Sequence, residues 1–239
     1  MENKIKLNKC RRILVETNDI FNNKVEGDIY LVQQYYKDIS NERQKELDYC
    51  LQKNLDNILI KKIYLLNERG YDYNSFKNND KIEEIIINER LKYKKFFDFI
   101  GEKRGYFILS NSDIFFDDSV EKIKYGLLGK IKSIYCLTRY EFDGNRHILN
   151  NRYQNCSQDV WIIHSKFSKL RYLKLLDFCL GKPYCDNRLA YILCFDEKIK
   201  IINDCKNIKC YHYHLSNVRN YHQIKDKING AIMHIEPYL

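Results

Sequence analysis

Only two prolines, Pro183 and Pro237, punctuate the 239 residues, and no low-complexity linker, internal repeat or break in composition divides them. The chain is long enough to bury a real core, and the expectation is one domain over residues 1–239. No C-x-x-C pair occurs among nine scattered cysteines, an odd number. That argues against a zinc ribbon or a disulfide framework and for reduced thiols in a cytosol-like compartment. No stretch approaches the ~18 consecutive apolar residues of a membrane span. The start, MENKIKLNKCRR, has neither an apolar h-region nor a cleavage site. A cytoplasmic protein without signal peptide or membrane anchor is expected. Long basic runs are missing too, although Lys+Arg 41 against Asp+Glu 32 gives a net charge of +9. A dedicated nucleic-acid binder clusters its cations, so these read as a solvated surface with room for a phosphate-facing patch.

What is present is an alternation of apolar runs and helical patterns. Ile29 to Tyr36 reads as a first core strand. Ser40 is placed to cap a helix in which Leu47, Cys50, Leu51 and Leu55 recur at helical spacing. Strands are expected at Lys62–Leu66, Ile82–Asn88 and Tyr106–Leu109, with an amphipathic helix over Leu91–Ile100. A helix capped by Ser119 is expected over Val120–Leu128, then a strand over Ile134–Tyr140. A polar loop should fill 141–157, followed by a strand over Asp159–His164, a helix over Asp186–Phe195, and strands at Ile199–Asn203 and Ile208–His214. Arg12–Val15 fits a short edge strand or an ordered arm. The order strand, helix, strand, strand, helix, strand in the first half is the pattern of an α/β domain with a mostly parallel sheet.

Four polar clusters sit at the ends of these apolar segments. In YFILSNSDIFFDD, a strand runs into the turn Ser110-Asn111-Ser112-Asp113. In open α/β sheets, ligands lie beyond the carboxyl ends of the strands. One carboxylate plus diphosphate oxygens and waters can satisfy a hard divalent cation, while the same residues also suit a plain turn. Asp117 and Asp118 read as the dipole-favoured start of the next helix. In CSQDVW, Asp159 is either a strand cap or a general base, and Trp161, the only tryptophan, is either core or a platform for a sugar ring. In LGKPYCDNR, Gly181 and Pro183 make a turn, Asp186 opens a helix with Asn187, and Arg188 in its first turn needs an anionic partner. In YHYHLS, His212 and His214 would share one face of a strand, which suits metal ligation and aromatic packing alike.

Together these clusters resemble glycosyltransferases of the GT-A fold. More narrowly, they are similar to a set of glycosyltransferase-like sequences, several from large DNA viruses, with the ordered pattern NSDIxFD, SQDxWIF, LGxPGCDNRxAY and YHxHxS. This chain has NSDIFFDD, CSQDVWII, LGKPYCDNRLAY and CYHYHLS in that order. The resemblance covers residues 106–222; the first hundred residues match only as an α/β pattern. It implies a single GT-A-like, Rossmann-like domain with a mostly parallel mixed central sheet flanked by helices. Residues 1–105 would form mainly the nucleotide-binding half and 106–239 the metal and acceptor half.

The implied activity is metal-assisted transfer of a sugar from a UDP- or GDP-sugar to an acceptor hydroxyl on a glycan, protein or small molecule, with inversion. A viral member would work in the host cytoplasm. Asp113 would hold Mn²⁺ or Mg²⁺ together with His214 and His212. Asn111 stands where the D-x-D motif has its first aspartate, and Tyr184 stands where the pattern has glycine. Asp159 would be the base, and Arg188 or Arg139 would neutralise the departing diphosphate. The loop from Glu141 would close over the donor. Gln33, Tyr35, Arg90, Asn111, Ser112 and Arg139 are assigned to the nucleotide and diphosphate; Trp161, Asp186 and Asn187 to the substrate. The same site would also serve a nucleotidyltransferase or nucleotide-sugar hydrolase, and a non-catalytic binding module on this fold is the reading from a different class.

Overall fold

The computed structural model describes residues 24–149, 155, 157–216 and 218–238; the segment 12–15 lies outside the described residues. Its centre is a seven-stranded sheet. In chain order the strands are β1 (Ile29–Gln33), β2 (Ile60–Asn67), β3 (Ile82–Ile86), β4 (Tyr106–Ser110), β6 (Ser133–Thr138), β9 (Gln158–His164) and β10 (Lys200–Asn203), in the spatial order β10-β6-β9-β4-β1-β2-β3. All neighbours are parallel except β9, which runs antiparallel to both β4 and β6. The fold is thus the mixed, mostly parallel α/β architecture expected from the alternation of elements.

Both faces of the sheet are covered at its centre, so the central strands β1, β4, β6 and β9 are largely apolar, while the edge strand β3 carries Glu83 and Glu84. Side chains alternate across a strand. Tyr106 and Ile108 of β4 enter one core with Leu31, Ile63 and Ile162, while Phe107 and Leu109 enter the other with Val32, Trp161 and Ile163. Helix α1 (Asn41–Asp56) is capped by Ser40, whose hydroxyl accepts from the Arg43 amide at 3.3 Å. Its stripe of Leu47, Cys50, Leu51 and Leu55 is buried. Helix α2 (Tyr93–Ile100) buries Phe96, Phe97 and Ile100 in the opposite core and ends at Gly101.

Four shorter strands form a second sheet, ordered β5-β11-β7-β8: β5 (Ile114–Phe116), β7 (Tyr140–Phe142), β8 (His147–Leu149) and β11 (Cys210–His212). The expected loop over 141–157 therefore begins as a β-hairpin, because β7 finds an edge in β11 and its Phe142 packs on Tyr49, Phe115 and Tyr213. The expected helix over Val120–Leu128 is instead a 3₁₀ segment, Asp118–Lys124, capped by Asp117 rather than Ser119. It buries Val120 and Ile123, and beyond it the chain passes Gly126, pressed against the Tyr135 hydroxyl, before burying Leu127 and Leu128 outside any helix. Helix α3 (Cys185–Tyr191) continues as one π-helical turn, Ile192–Asp196.

The strand polarities decide where polar residues gather. The carboxyl end of β4 carries the turn at Asn111–Asp113. Because β9 is antiparallel, its beginning lies at that same edge, with Ser110 opposite Val160 and Thr138 opposite Gln158. On the other side, β11 pairs with β5 so that His212 lies opposite Ile114, one residue from Asp113. Three of the four sequence clusters thus converge at the carboxyl edge of the main sheet, and the fourth joins them at the start of α3.

Candidate functional site

A cleft of about 560 Å³ opens at this edge, walled among others by Asn111, Asp113, Arg139, Asp159, Asp186 and His212. Its most polar corner is built around Asp113, which is 6 % exposed. The Asp113 Oδ2 accepts from Arg43 Nη2 at 2.7 Å and lies 3.2 Å from His212 Nε2 and 3.5 Å from His214 Nδ1. Burial opposes the Asp113 charge, but His212, His214 and Arg43 outweigh it and hold its carboxyl well below the usual carboxylate range. His212 is pushed up to about 8: burial and Arg139 oppose its charge, and Asp113 and Glu141 outweigh them.

Arg43 and Glu46 of α1 tie this corner together. Arg43 Nη1 donates to Glu46 Oε2 at 3.0 Å, and Glu46 accepts from the amides of Leu215 and Ser216, at 2.6 and 2.7 Å, just beyond His214. From Asp113 the contacts continue as alternating charges. His212 Nδ1 meets Glu141 Oε2 at 2.7 Å, Arg139 Nε donates to Glu141 Oε1 at 2.7 Å, and Arg139 Nη1 donates to Asp159 Oδ2 at 2.5 Å. Asn111 Nδ2 donates to the other Asp159 oxygen at 2.9 Å.

This corner fits a divalent cation. One atom each of Asp113, His212 and His214 lie within 4.8 Å of one another. Asp113 Oδ1 and His214 Nε2 are buried with no hydrogen-bond partner among the described residues, a costly arrangement unless a cation completes it. A carboxylate with two imidazoles is a donor set suited to first-row divalent ions, the carboxylate to Mn²⁺ and the imidazoles to the later metals as well. With His212 neutral, as a metal ligand is, the chain of contacts sets four carboxylates (Glu46, Asp113, Glu141 and Asp159) against two guanidiniums (Arg43 and Arg139), a negative surplus that matches the charge of one divalent ion.

Asp186 stands apart from that network. It opens α3 and accepts only backbone amides, from Gln158 at 3.0 Å and Asn187 at 2.9 Å. Burial, reinforced by the charge of Asp159, pushes its carboxyl up to about 7. Two cleft carboxylates therefore differ: Asp159 is held by a cation and an amide, whereas Asp186 has no cationic partner among its hydrogen bonds. Before Asp186, Tyr184 takes φ 67, the left-handed region, which accounts for glycine in the resembled pattern.

The remaining predicted residues divide. Arg90 lines the cleft and donates to the carbonyls of Leu180, Gly181 and Asn220. Ser112 also lines it and donates to the Gln34 carbonyl at 2.8 Å. Trp161 is 2 % exposed, core-packed, and reaches the cleft with one edge. Asn187 is buried and also lines the cleft, its amide donating to the Met233 carbonyl. Gln33 does not line the cleft; its amide donates to Ser110 Oγ at 2.9 Å and to the Asn111 carbonyl at 2.8 Å, bracing the Asp113 turn from below. The Tyr35 hydroxyl donates to Asp48 at 2.6 Å and accepts from Gln44 at 2.9 Å. Its residue borders a second hollow of about 580 Å³, which shares Tyr36, Arg90, Asn111 and Ser112 with the cleft. Arg188 is turned away: it donates to the Ala231 carbonyl at 2.9 Å and lies over the Tyr191 ring. The partner of its charge is a backbone strap, not a phosphate site.

Sequence reasoning missed Arg43, Glu46 and Glu141. Each carried a local signal. Arg43 and Glu46 share a helix face at i, i+3, and Arg139 and Glu141 share one at i, i+2 in extended chain.

No protein-family model matches the chain, and no curated protein does. Solved structures do. GalNAc-T7, crystallised with UDP, GalNAc and Mn²⁺, superposes with a TM-score of 0.52 at 8 % identity over 84 % of this chain and 46 % of its own. Mannosyltransferase PcManGT from Pyrobaculum calidifontis, in complex with GDP-Man and Mn²⁺, superposes with a TM-score of 0.51 at 7 % identity over 91 % of this chain and 66 % of its own. The fold is theirs. At such identities the likeness extends to the fold alone, and the chain spans about half of the first protein's length.

Proposed function

We propose that the chain is a nucleotide-sugar-dependent glycosyltransferase that transfers a sugar to an acceptor hydroxyl with inversion. The observation that carries this reading is the placement of a cation-ready Asp113–His212–His214 corner beside two carboxylates of unlike environment, in a cleft at the carboxyl edge of a GT-A-like sheet. The two similar folds, whose structures hold a nucleotide or nucleotide sugar with Mn²⁺, support it.

In this reading the nucleoside lies in the hollow beside Tyr35 and the diphosphate reaches the Asp113 turn. A divalent cation held by Asp113, His212 and His214 supplies positive charge for the leaving diphosphate. Arg43 keeps Asp113 ionised and oriented, and Arg139 orients Asp159. The expected base, Asp159, is paired with Arg139, so taking a proton there would break that ion pair. Asp186 is the better proton acceptor, with a carboxyl poised near neutrality. It takes the proton as the acceptor oxygen bonds to the anomeric carbon, and the bond from that carbon to the diphosphate oxygen breaks with its electron pair leaving on the diphosphate.

The test is a thermal-shift screen of UDP- and GDP-sugars with and without Mn²⁺, followed by product analysis. A ligand at ~100 times its Kd adds about 2.7 kcal/mol of stability. Release of nucleoside diphosphate with Mn²⁺, lost in Asp113→Ala, is expected. Release of nucleoside monophosphate would point to pyrophosphate-bond chemistry instead, and no stabilisation by any nucleotide would refute the reading.

A further inference from the structure

Glu141 lies outside the four polar motifs of the sequence, yet it stands between the cation corner and the Arg139–Asp159 pair. Its position is set by the second sheet. Strands β7 and β11 are parallel neighbours, and their register places Glu141 directly opposite His212. Neighbouring strands lie about 4.7–4.9 Å apart, and here the carboxylate reaches the ring: Oε2 is 2.7 Å from His212 Nδ1. An ionised carboxylate can only accept. The permanently charged Arg139 guanidinium donates to the other oxygen, Oε1, at 2.7 Å, so Glu141 faces His212 as a carboxylate. The Nδ1 of His212 therefore carries a hydrogen and donates it.

The consequence falls on the other ring nitrogen. With Nδ1 protonated, the lone pair of a neutral His212 is on Nε2, the atom 3.2 Å from Asp113 Oδ2. Two such lone pairs facing each other require a positive charge between them, whether a proton or a metal ion. The second oxygen of Glu141 acts in the opposite direction. Oε1 accepts from Arg139 Nε, and Arg139, the single residue between β6 and β7, passes its Nη1 to Asp159 on the main sheet.

We propose that Glu141 is a positioning residue that fixes His212 as a metal ligand through Nε2 and, by its other oxygen, sets the Arg139–Asp159 pair, so that one side chain aligns both halves of the site. The proposal rests on the reading of Asp113, His212 and His214 as a metal corner. Outer carboxylates that orient a ligating histidine change metal affinity by about 10- to 100-fold when removed. Glu141→Gln is the informative substitution. An amide presents one acceptor and one donor where the carboxylate presents two acceptors. It either turns an N–H toward His212 Nδ1, forcing the hydrogen onto Nε2, or turns it toward Arg139, which can only donate.

The experiment measures Mn²⁺ binding by loss of its free EPR signal, in wild type and in Glu141→Gln, with UDP and with GDP. Side-chain ¹⁵N spectra of histidine-labelled, metal-free protein are recorded beside it, with His212 assigned from its loss in His212→Asn. The expected result is hydrogen on Nδ1 of wild-type His212 and about 10- to 100-fold weaker Mn²⁺ binding in Glu141→Gln. Wild-type binding with a variant within twofold of it overturns the proposal while leaving the metal reading intact. A wild-type His212 bearing hydrogen on Nε2 alone overturns it as well, and this measurement needs no variant to fold. Failure of wild type to bind Mn²⁺ with either nucleotide overturns the metal reading and the proposal with it.

Discussion

Replacing Asp186 by asparagine removes one pH dependence from the cleft and leaves that of His212 in place. The Asp186 carboxyl is pushed from its ordinary 3.8 up to about 7. Between those values the folded chain binds more protons than the unfolded one, so stability falls as pH rises. The contribution is fully present below pH 3.8 and lost once pH passes about 7. A rise of about three pK units at ~1.36 kcal/mol each sets an upper limit of about 4 kcal/mol. The carboxyl faces the cleft, where water screens it, so ~2–4 kcal/mol is the working range. Asparagine has no such titration. It does lose one acceptor against the amides of Gln158 and Asn187, at about 1–3 kcal/mol independent of pH. The clean readout is therefore a difference of differences: urea unfolding of both proteins at pH 4.5, 6, 7 and 8. The wild type should lose ~2–4 kcal/mol more than Asp186→Asn across that range. In parallel, with Mn²⁺ saturating at every pH, transfer by the wild type should rise through pH about 7, and the variant should be slower by about 10²- to 10⁴-fold without that rise. Parallel stability curves would refute the buried, uncompensated charge, and a variant transferring at the wild-type rate would refute its role as base.

Further predictions concern the cation corner and the turn before α3. Because the site proton of His212 titrates at about 8, Mn²⁺ affinity should strengthen as pH rises from 6 and level off above that value, measurable by calorimetry at fixed ionic strength. A flat affinity over that range would show that His212 is not displaced from its proton. Arg43→Ala leaves Asp113 and Glu46 buried without their cation and should cost about 3–5 kcal/mol, with part of the loss recovered on adding Mn²⁺; no recovery would argue that Arg43 and the metal do not serve the same carboxylate. Tyr184→Gly relieves a left-handed residue and should add about 1 kcal/mol in denaturant unfolding, unless its ring contact with Lys227 at 4.4 Å carries more than the strain costs.

The strand–helix alternation was legible because it depends on local pattern. Leu47, Cys50, Leu51 and Leu55 mark α1 by spacing, Ser40 marks its start, and YFIL marks β4 by apolar content alone. The Asp113 turn, the His212–His214 pair and the Asp159 strand head were legible as chemistry for the same reason. Less legible were elements that depend on distant partners. The hairpin β7–β8 has little apolar pattern of its own and exists because β11 offers it an edge. Gln33 and Arg188 look like cleft residues by position, yet their side chains are consumed by Ser110 and by Ala231, neither near them in sequence.

By itself, then, the sequence determined the class of fold, the four polar clusters and the identity of the cation-ready residues, since periodicity and residue chemistry are local properties. Only the tertiary structure decided how those clusters divide the work. The antiparallel course of β9 brings Asp159 beside Asn111 and Arg139, where its charge is satisfied, and leaves Asp186 at the head of α3 with backbone amides and a like-charged neighbour. Which carboxylate holds a proton near neutral pH follows from burial and from the nearest charge, and both are set by residues far away along the chain.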